Sequence, residues 1–170
     1  MKVLLCAVNA KYIHSNLAVR LLKAYACREG GIPRTQIEIA EYTVNHQPQD
    51  VLADLYLRKP DILLFSCYIW NWIFLSRLLK DLGKVLPQTQ IWAGGPEVSY
   101  DPEQVLTEYP QLKGVLMGEG EAVFLELLRA YERGADEDAS SVRDRSCETD
   151  RELNEVRGIC FRKDGKIGRA

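Results

Sequence analysis

Two short glycine-rich segments carry the most suggestive chemistry in the chain, Gly94-Gly95-Pro96-Glu97 and Gly118-Glu119-Gly120-Glu121. Their glycines remove side chains where something flat or bulky can approach the backbone. A single such pair is explained by tight turns and close helix–strand packing; two, following neighbouring strands, favour a ligand. A third segment, Ser66-Cys67-Tyr68-Ile69-Trp70, offers a hydroxyl at a strand end and aromatic faces able to cover a planar ligand. Trp72 suits the buried stripe of the helix that follows, so Tyr68 and Trp70 are the better candidates. The fourth segment, Asn9 to Ser15, holds Asn9, Ala10, Lys11, Tyr12 and His14. His14 precedes a helix start with no cysteine or carboxylate at ligand spacing, so capping or solvent exposure explains it better than a metal. His46 lies in a polar loop. Glu119 and Glu121 flank a helix N-terminus, where the helix dipole favours carboxylates without any catalytic role. No catalytic residue and no metal ligand is assigned.

These segments fall at the ends of alternating elements. Short apolar runs (Lys2 to Val8, Gln36 to Tyr42, Ile62 to Phe65, Gln90 to Ala93, Val115 to Met117) alternate with amphipathic stretches, the pattern of βαβ units around a parallel sheet. Ser15 or Asn16 caps a first helix whose apolar residues Leu17, Ala18, Leu21, Leu22 and Tyr25 share a face, ended by Gly30-Gly31. Asn71 caps a helix to about Leu86, and Asp101-Pro102 opens another. The expected fold is α/β: a doubly wound, mostly parallel five-stranded sheet, flavodoxin-like or Rossmann-like, with a C-terminal hairpin. Residues 1–133 form the binding domain. Residues 134–154, polar with almost nothing to bury, read as a linker or mobile loop. Residues 155–170 form the hairpin around Asp164-Gly165; with little core of its own, it suggests the front piece of a longer protein. In such sheets the ligand lies beyond the carboxyl ends of the strands, where all four segments gather.

Composition narrows the function. The chain has 170 residues, 46% of them hydrophobic, enough for one domain with a real core. Twenty-two basic against 24 acidic residues, net −2, argue against nucleic-acid binding. Five scattered cysteines provide no CxxC and no CxxxCxxC. Cys6 and Cys67 read as buried thiols. With no cleavable leader and no membrane-length apolar run, the expected location is cytoplasmic. A dinucleotide fingerprint, a P-loop and a receiver-type acidic cluster are all absent. Flavin or nucleotide binding remains open, as does a docking scaffold that has lost its ligand.

The order Asn9-Ala10-Lys11-Tyr12-Ile13-His14-Ser15-Asn16-Leu17-Ala18, then Gly94-Gly95-Pro96-Glu97-Val98-Ser99, then Gly118-Glu119-Gly120-Glu121 with Phe124, resembles the N-terminal cobalamin-binding domain of cobalamin-dependent radical S-adenosylmethionine enzymes. The resemblance covers nearly the whole chain, including the Gly158-Ile159 hairpin. It implies a corrin over the strand ends, against the loop after the first strand and against Ser66, Cys67, Tyr68 and Trp70. It implies a nucleotide tail running past Ser66, Gly94, Gly95 and Gly118, its phosphate on backbone N–H groups. The site set is therefore Asn9, Ala10, Lys11, Tyr12, His14, Ser66, Cys67, Tyr68, Trp70, Gly94, Gly95, Pro96, Glu97, Gly118, Glu119 and Gly120. Lys11 stands where many cobalamin domains place a cobalt-ligating His, which implies a cobalt without a protein His. S-adenosylmethionine and a 4Fe-4S cluster would belong to a downstream radical domain of the same polypeptide, possessing the cysteine triplet this chain lacks. Methyl transfer is the leading reaction; the substrate is not legible.

Overall fold

In the computed structural model, residues 1–12, 14–136, 142–163 and 165–170 are described. Seven strands form one sheet: β1 (Val3–Asn9), β2 (Ile37–Thr43), β3 (Ile62–Ser66), β4 (Gln90–Gly94), β5 (Leu112–Leu116), β6 (Ile159–Lys163) and β7 (Lys166–Arg169). Their order is β2-β1-β3-β4-β5-β6-β7. The first five run parallel, and β6 and β7 add antiparallel beyond β5. The hairpin thus finds its missing core by joining the main sheet. Every residue of β1 and β3 is buried, as strands covered on both faces require.

Helices cover both faces. On one lie α1 (Leu17–Glu29), α6 (Gly120–Asp136) and α7 (Val142–Leu153); on the other lie α2 (Pro48–Arg58), α3 (Trp72–Val85), α4 (Pro96–Ser99) and α5 (Pro102–Glu108). Local signals explain their starts. Asn16 Oδ1 accepts from Val19 N at 3.2 Å, and Asp101 Oδ1 accepts from Gln104 N at 3.2 Å. Pro48 and Pro102 occupy first-turn positions where no N–H is needed. The one-turn α4 was not expected from sequence. No helix among the described residues is long and apolar enough to cross a membrane.

Three expectations need correction. The stretch 134–154 is not a linker throughout: α6 runs into it and α7 occupies most of it, with residues 137–141 outside the described ones. Helix α7 packs along α6, where Arg133 pairs with Glu152. Leu153 is fully buried, and Asp150 is buried beside Lys113, whose ammonium also donates to Arg162 O at 2.7 Å. At Gly134 a Cβ would lie 2.8 Å from Thr149 Cα, so the missing side chain lets α7 cross close to α6. Next, β5 begins at Leu112 and not Val115, because the polar Lys113 within it spends its charge on Asp150. Finally, Leu17, Leu21 and Tyr25 are exposed, and only Val19, Leu22 and Ala26 of α1 are buried. The apolar stripe of α1 is wider than the face it buries.

Candidate functional site

The strand order reverses between β1 and β3, so chain connections leave their carboxyl ends in opposite directions and open a crevice there. Beside it, on the α1/α6 face, lies a cleft of about 380 Å³. Its lining comes from α1 (Ala18, Leu22), β3 and its loop (Leu64, Phe65, Ser66, Tyr68), β4 and its loop (Gly94, Gly95, Pro96, Ser99), and β5 with the start of α6 (Leu116, Gly118, Gly120, Glu121). This size is within the range of small-molecule sites. A larger groove of about 610 Å³ runs along the flank of α1 and α6 and shares only Glu121 with the cleft.

The two glycine pairs do different work. Gly95 has φ +108°, and a Cβ there would lie 2.4 Å from Cys67 O, so backbone packing alone demands glycine. Gly94 is under no such demand: its Cβ would make an ordinary 3.5 Å contact with Leu116. At Gly118 a Cβ would meet nothing within 4 Å, although its φ of +73° favours glycine. The space beside Gly94 and Gly118 is therefore not occupied by the protein itself.

Polar groups pin the walls. Ser66 is buried, and its Oγ accepts from Asn16 Nδ2 at 3.3 Å. Ser99 Oγ donates to Gly95 O at 2.8 Å, with Leu116 O at 3.1 Å. Asn71 is fully buried: its Nδ2 donates to Val8 O at 3.0 Å and Ser66 O at 2.9 Å, and its Oδ1 accepts from Tyr68 N at 2.9 Å. It ties β1 to β3 at the crevice instead of capping α3 with its side chain. At the rim Tyr68 and Trp70 stack, ring centroids 4.3 Å apart and planes within 10°. Tyr12 and Tyr100 are 90% and 95% exposed on the neighbouring loops.

Of the residues singled out from sequence, Ser66, Tyr68, Gly94, Gly95, Pro96, Gly118 and Gly120 line the cleft. Asn9, Ala10, Lys11, Tyr12 and His14 form the adjoining loop, where His14 N donates to Lys11 O at 3.1 Å; Ile13 lies outside the described residues. Trp70 stacks on the cleft-lining Tyr68, Glu97 is half-buried next to the cleft-lining Pro96, and Glu119 lines the flanking groove. Cys67 is the exception. Strand alternation turns it to the opposite face, where it is fully buried and burial pushes its thiol up to about 12. Only its backbone reaches the site, through the Gly94 and Gly95 contacts.

Sequence reading missed Leu64 and Leu116, which look like plain core, and Glu41. The Glu41 carboxylate accepts from Asn16 N at 2.8 Å and Asn9 Nδ2 at 3.2 Å and pairs with Arg20. Burial opposes its charge, but the Asn16 N–H, the Asn9 amide and the Arg20 guanidinium outweigh it and hold the carboxyl below the usual carboxylate range. Among the described residues, no group of three His, Cys, Asp or Glu is placed to hold a metal ion.

Residues 3–128 match the model of the B12 binding domain family. TokK of Streptomyces tokunonensis, a cobalamin-dependent radical SAM methyltransferase, is 31% identical over 112 residues, covering 66% of this chain and 16% of that protein. The anaerobic magnesium-protoporphyrin IX monomethyl ester cyclase of Synechocystis sp. (strain ATCC 27184 / PCC 6803 / Kazusa) is 34% identical over 135 residues, covering 79% of this chain and 22% of that protein. Among solved structures, the cobalamin-dependent S-adenosylmethionine radical enzyme OxsB, with aqua-cobalamin and S-adenosylmethionine bound, superposes with a TM-score of 0.69 at 20% identity. That match covers 98% of this chain and 22% of that one, and it establishes a shared fold. The chain thus spans 16% and 22% of the length of these two curated relatives.

Proposed function

This chain belongs to the B12 binding domain family and is a cobalamin-binding domain; from that premise we propose that it serves as the cofactor module of a radical S-adenosylmethionine enzyme. The observation that carries the reading is the cleft whose walls at Gly94 and Gly118 leave room the protein's own packing does not need. That hollow, floored by Leu22, Leu64 and Leu116 and edged by Ser66 and Gly95, fits the nucleotide tail of a cobalamin. Its phosphate is served by backbone N–H groups of the Gly94–Glu97 and Gly118–Gly120 loops. Asn9, Ala10, Lys11, Tyr12 and His14, with Tyr68, Trp70, Pro96, Glu97 and Glu119, then face or fringe the corrin. Bound cobalamin supplies methyl-transfer chemistry; the residues of this chain hold and orient it and limit water around it.

Cobalt without a protein His ligand is part of the proposal. The position that would carry such a His holds Lys11, exposed on the loop, and the other histidine, His46, accepts from Thr43 N at 3.0 Å through its Nδ1, in the loop after β2. His14 is the residue to challenge: a change in the visible spectrum of the bound corrin on His14→Ala would overturn this part. Residues 1–133 act as the cobalamin unit, and the hairpin at 155–170 leads toward a radical domain holding a 4Fe-4S cluster and S-adenosylmethionine. Methyl transfer is the leading reaction, as in TokK, while the cyclase shows that relatives differ in chemistry. A cytoplasmic setting agrees with the buried free thiols of Cys6, Cys67 and Cys160. Flavin or nucleotide binding without cobalt is not favoured by these relatives.

The test is direct. Incubated with hydroxocobalamin and desalted, the chain is expected to elute with about one equivalent of corrin, read from its visible absorbance. Elution without corrin but with flavin or nucleotide retained under the same treatment would refute the reading.

A further inference from the structure

The ligand-facing loop after β1 is held by a residue that is not part of it. Glu41 sits in the edge strand β2, opposite Ala7 of β1. Its Oε1 accepts from both Asn16 N, at 2.8 Å, and Asn9 Nδ2, at 3.2 Å. Asn9 ends β1 and Asn16 caps α1, so one carboxylate oxygen joins the two ends of the loop that presents Lys11, Tyr12 and His14. The tie extends in two directions. Asn9 Nδ2 also donates to His14 O at 2.8 Å, fixing the far limb of the loop. Asn16 Nδ2 donates to Ser66 Oγ at 3.3 Å, which is inside the cleft.

We infer that Glu41 is a positioning residue for this site, acting through the reach of its oxygen to the two ends of the β1–α1 loop. The inference rests on the proposed cobalamin site for its functional meaning. Reach matters more than charge here. The ion pair with Arg20 is at the surface, the Arg20 side chain being 52% exposed, and such pairs contribute little. The two N–H groups, in contrast, need an acceptor in one place, and an amide oxygen can serve as well as a carboxylate.

Glu41→Gln and Glu41→Asp separate the two. Glutamine keeps the length and loses the charge; aspartate keeps the charge and loses a methylene of reach. The measurements are hydrogen exchange of the ligand-free chain across the segment between Asn9 and Asn16, the rate at which bound hydroxocobalamin is released, and the thermal midpoint. Glu41→Asp is expected to speed exchange in that segment alone and to release corrin about tenfold faster, the scale of losing one ordinary hydrogen bond. Glu41→Gln is expected to stay close to wild type in both. Wild-type behaviour of Glu41→Asp would overturn the inference. So would equal impairment of both variants, or a lowered midpoint with exchange rising across the whole sheet, since either makes charge or general stability the cause. If the wild-type chain holds no corrin, the proposed function fails, while the exchange comparison still decides what Glu41 does to the loop.

Discussion

Gly114 and Gly94 lie on adjacent strands, and the α1/α6 face of the sheet uses their missing side chains in opposite ways. Over Gly114 lies the Trp92 ring: a Cβ there would come within 2.3 Å of the indole. Trp92 is fully buried, and its Nε1 donates to Tyr131 Oη at 2.9 Å. Two residues further along β4, on the same face, Gly94 has only an ordinary contact to offer a Cβ, and the space beside it is the cleft. One glycine is filled from within the protein; the other keeps a hollow open. The comparison teaches that a glycine in a buried sheet is read by what fills its shadow, and that the lower half of this face is the rigid base on which the upper half can stay hollow.

Removing the base has the largest expected consequence. Trp92→Ala leaves a large cavity over Gly114 and should lower unfolding free energy by about 3–5 kcal/mol, measured by urea denaturation. A loss below about 1 kcal/mol would mean that the two halves are not built differently. Filling the hollow comes next. Gly94→Leu puts a side chain where the protein has room for one, so the thermal midpoint should move by only a few degrees while corrin affinity falls about a hundredfold, worth about 2.7 kcal/mol. Unchanged retention of hydroxocobalamin after desalting would separate the hollow from binding. The smallest effect sharpens the base. Tyr131→Phe leaves the Trp92 N–H unpaired in the core and should cost about 1–3 kcal/mol in the same denaturation assay, with corrin retention unchanged.

Much of this was legible before the structure. The βαβ alternation gave the sheet, because apolar runs and caps such as Asn16 and Asp101 are local signals. Gly94 and Gly118 were legible as a pair because two glycine loops after neighbouring strands are more than tight turns need. What escaped depends on direction and distance. Leu22, Leu64 and Leu116 are apolar like any core residue, and only the assembled sheet shows that they floor a hollow. Cys67 follows Ser66 in sequence and so was grouped with it, yet strand alternation sends the two side chains to opposite faces. Glu41 is 25 residues from Asn16 and signals nothing locally. Asn71 was legible as a cap position, but its amide spans to Val8, 63 residues away. Helix α7 was hidden by its composition: most of its residues are charged or polar, so the buried Asp150 and Leu153 stand in no apolar period.

The hairpin that completes the sheet has a bearing on self-association. Strand β7 is four residues long and mostly exposed, and its outer side has no partner strand among the described residues. An open strand edge is a template on which a second chain can add. Here that edge is short and carries Lys166, with Lys163 opposite it in the hairpin, while Arg169 pairs with Glu103. A second copy offering the same edge would have to bring like charges together and would gain few hydrogen bonds in return. Lys163 and Lys166 at this end of the sheet thus work against edge-to-edge pairing.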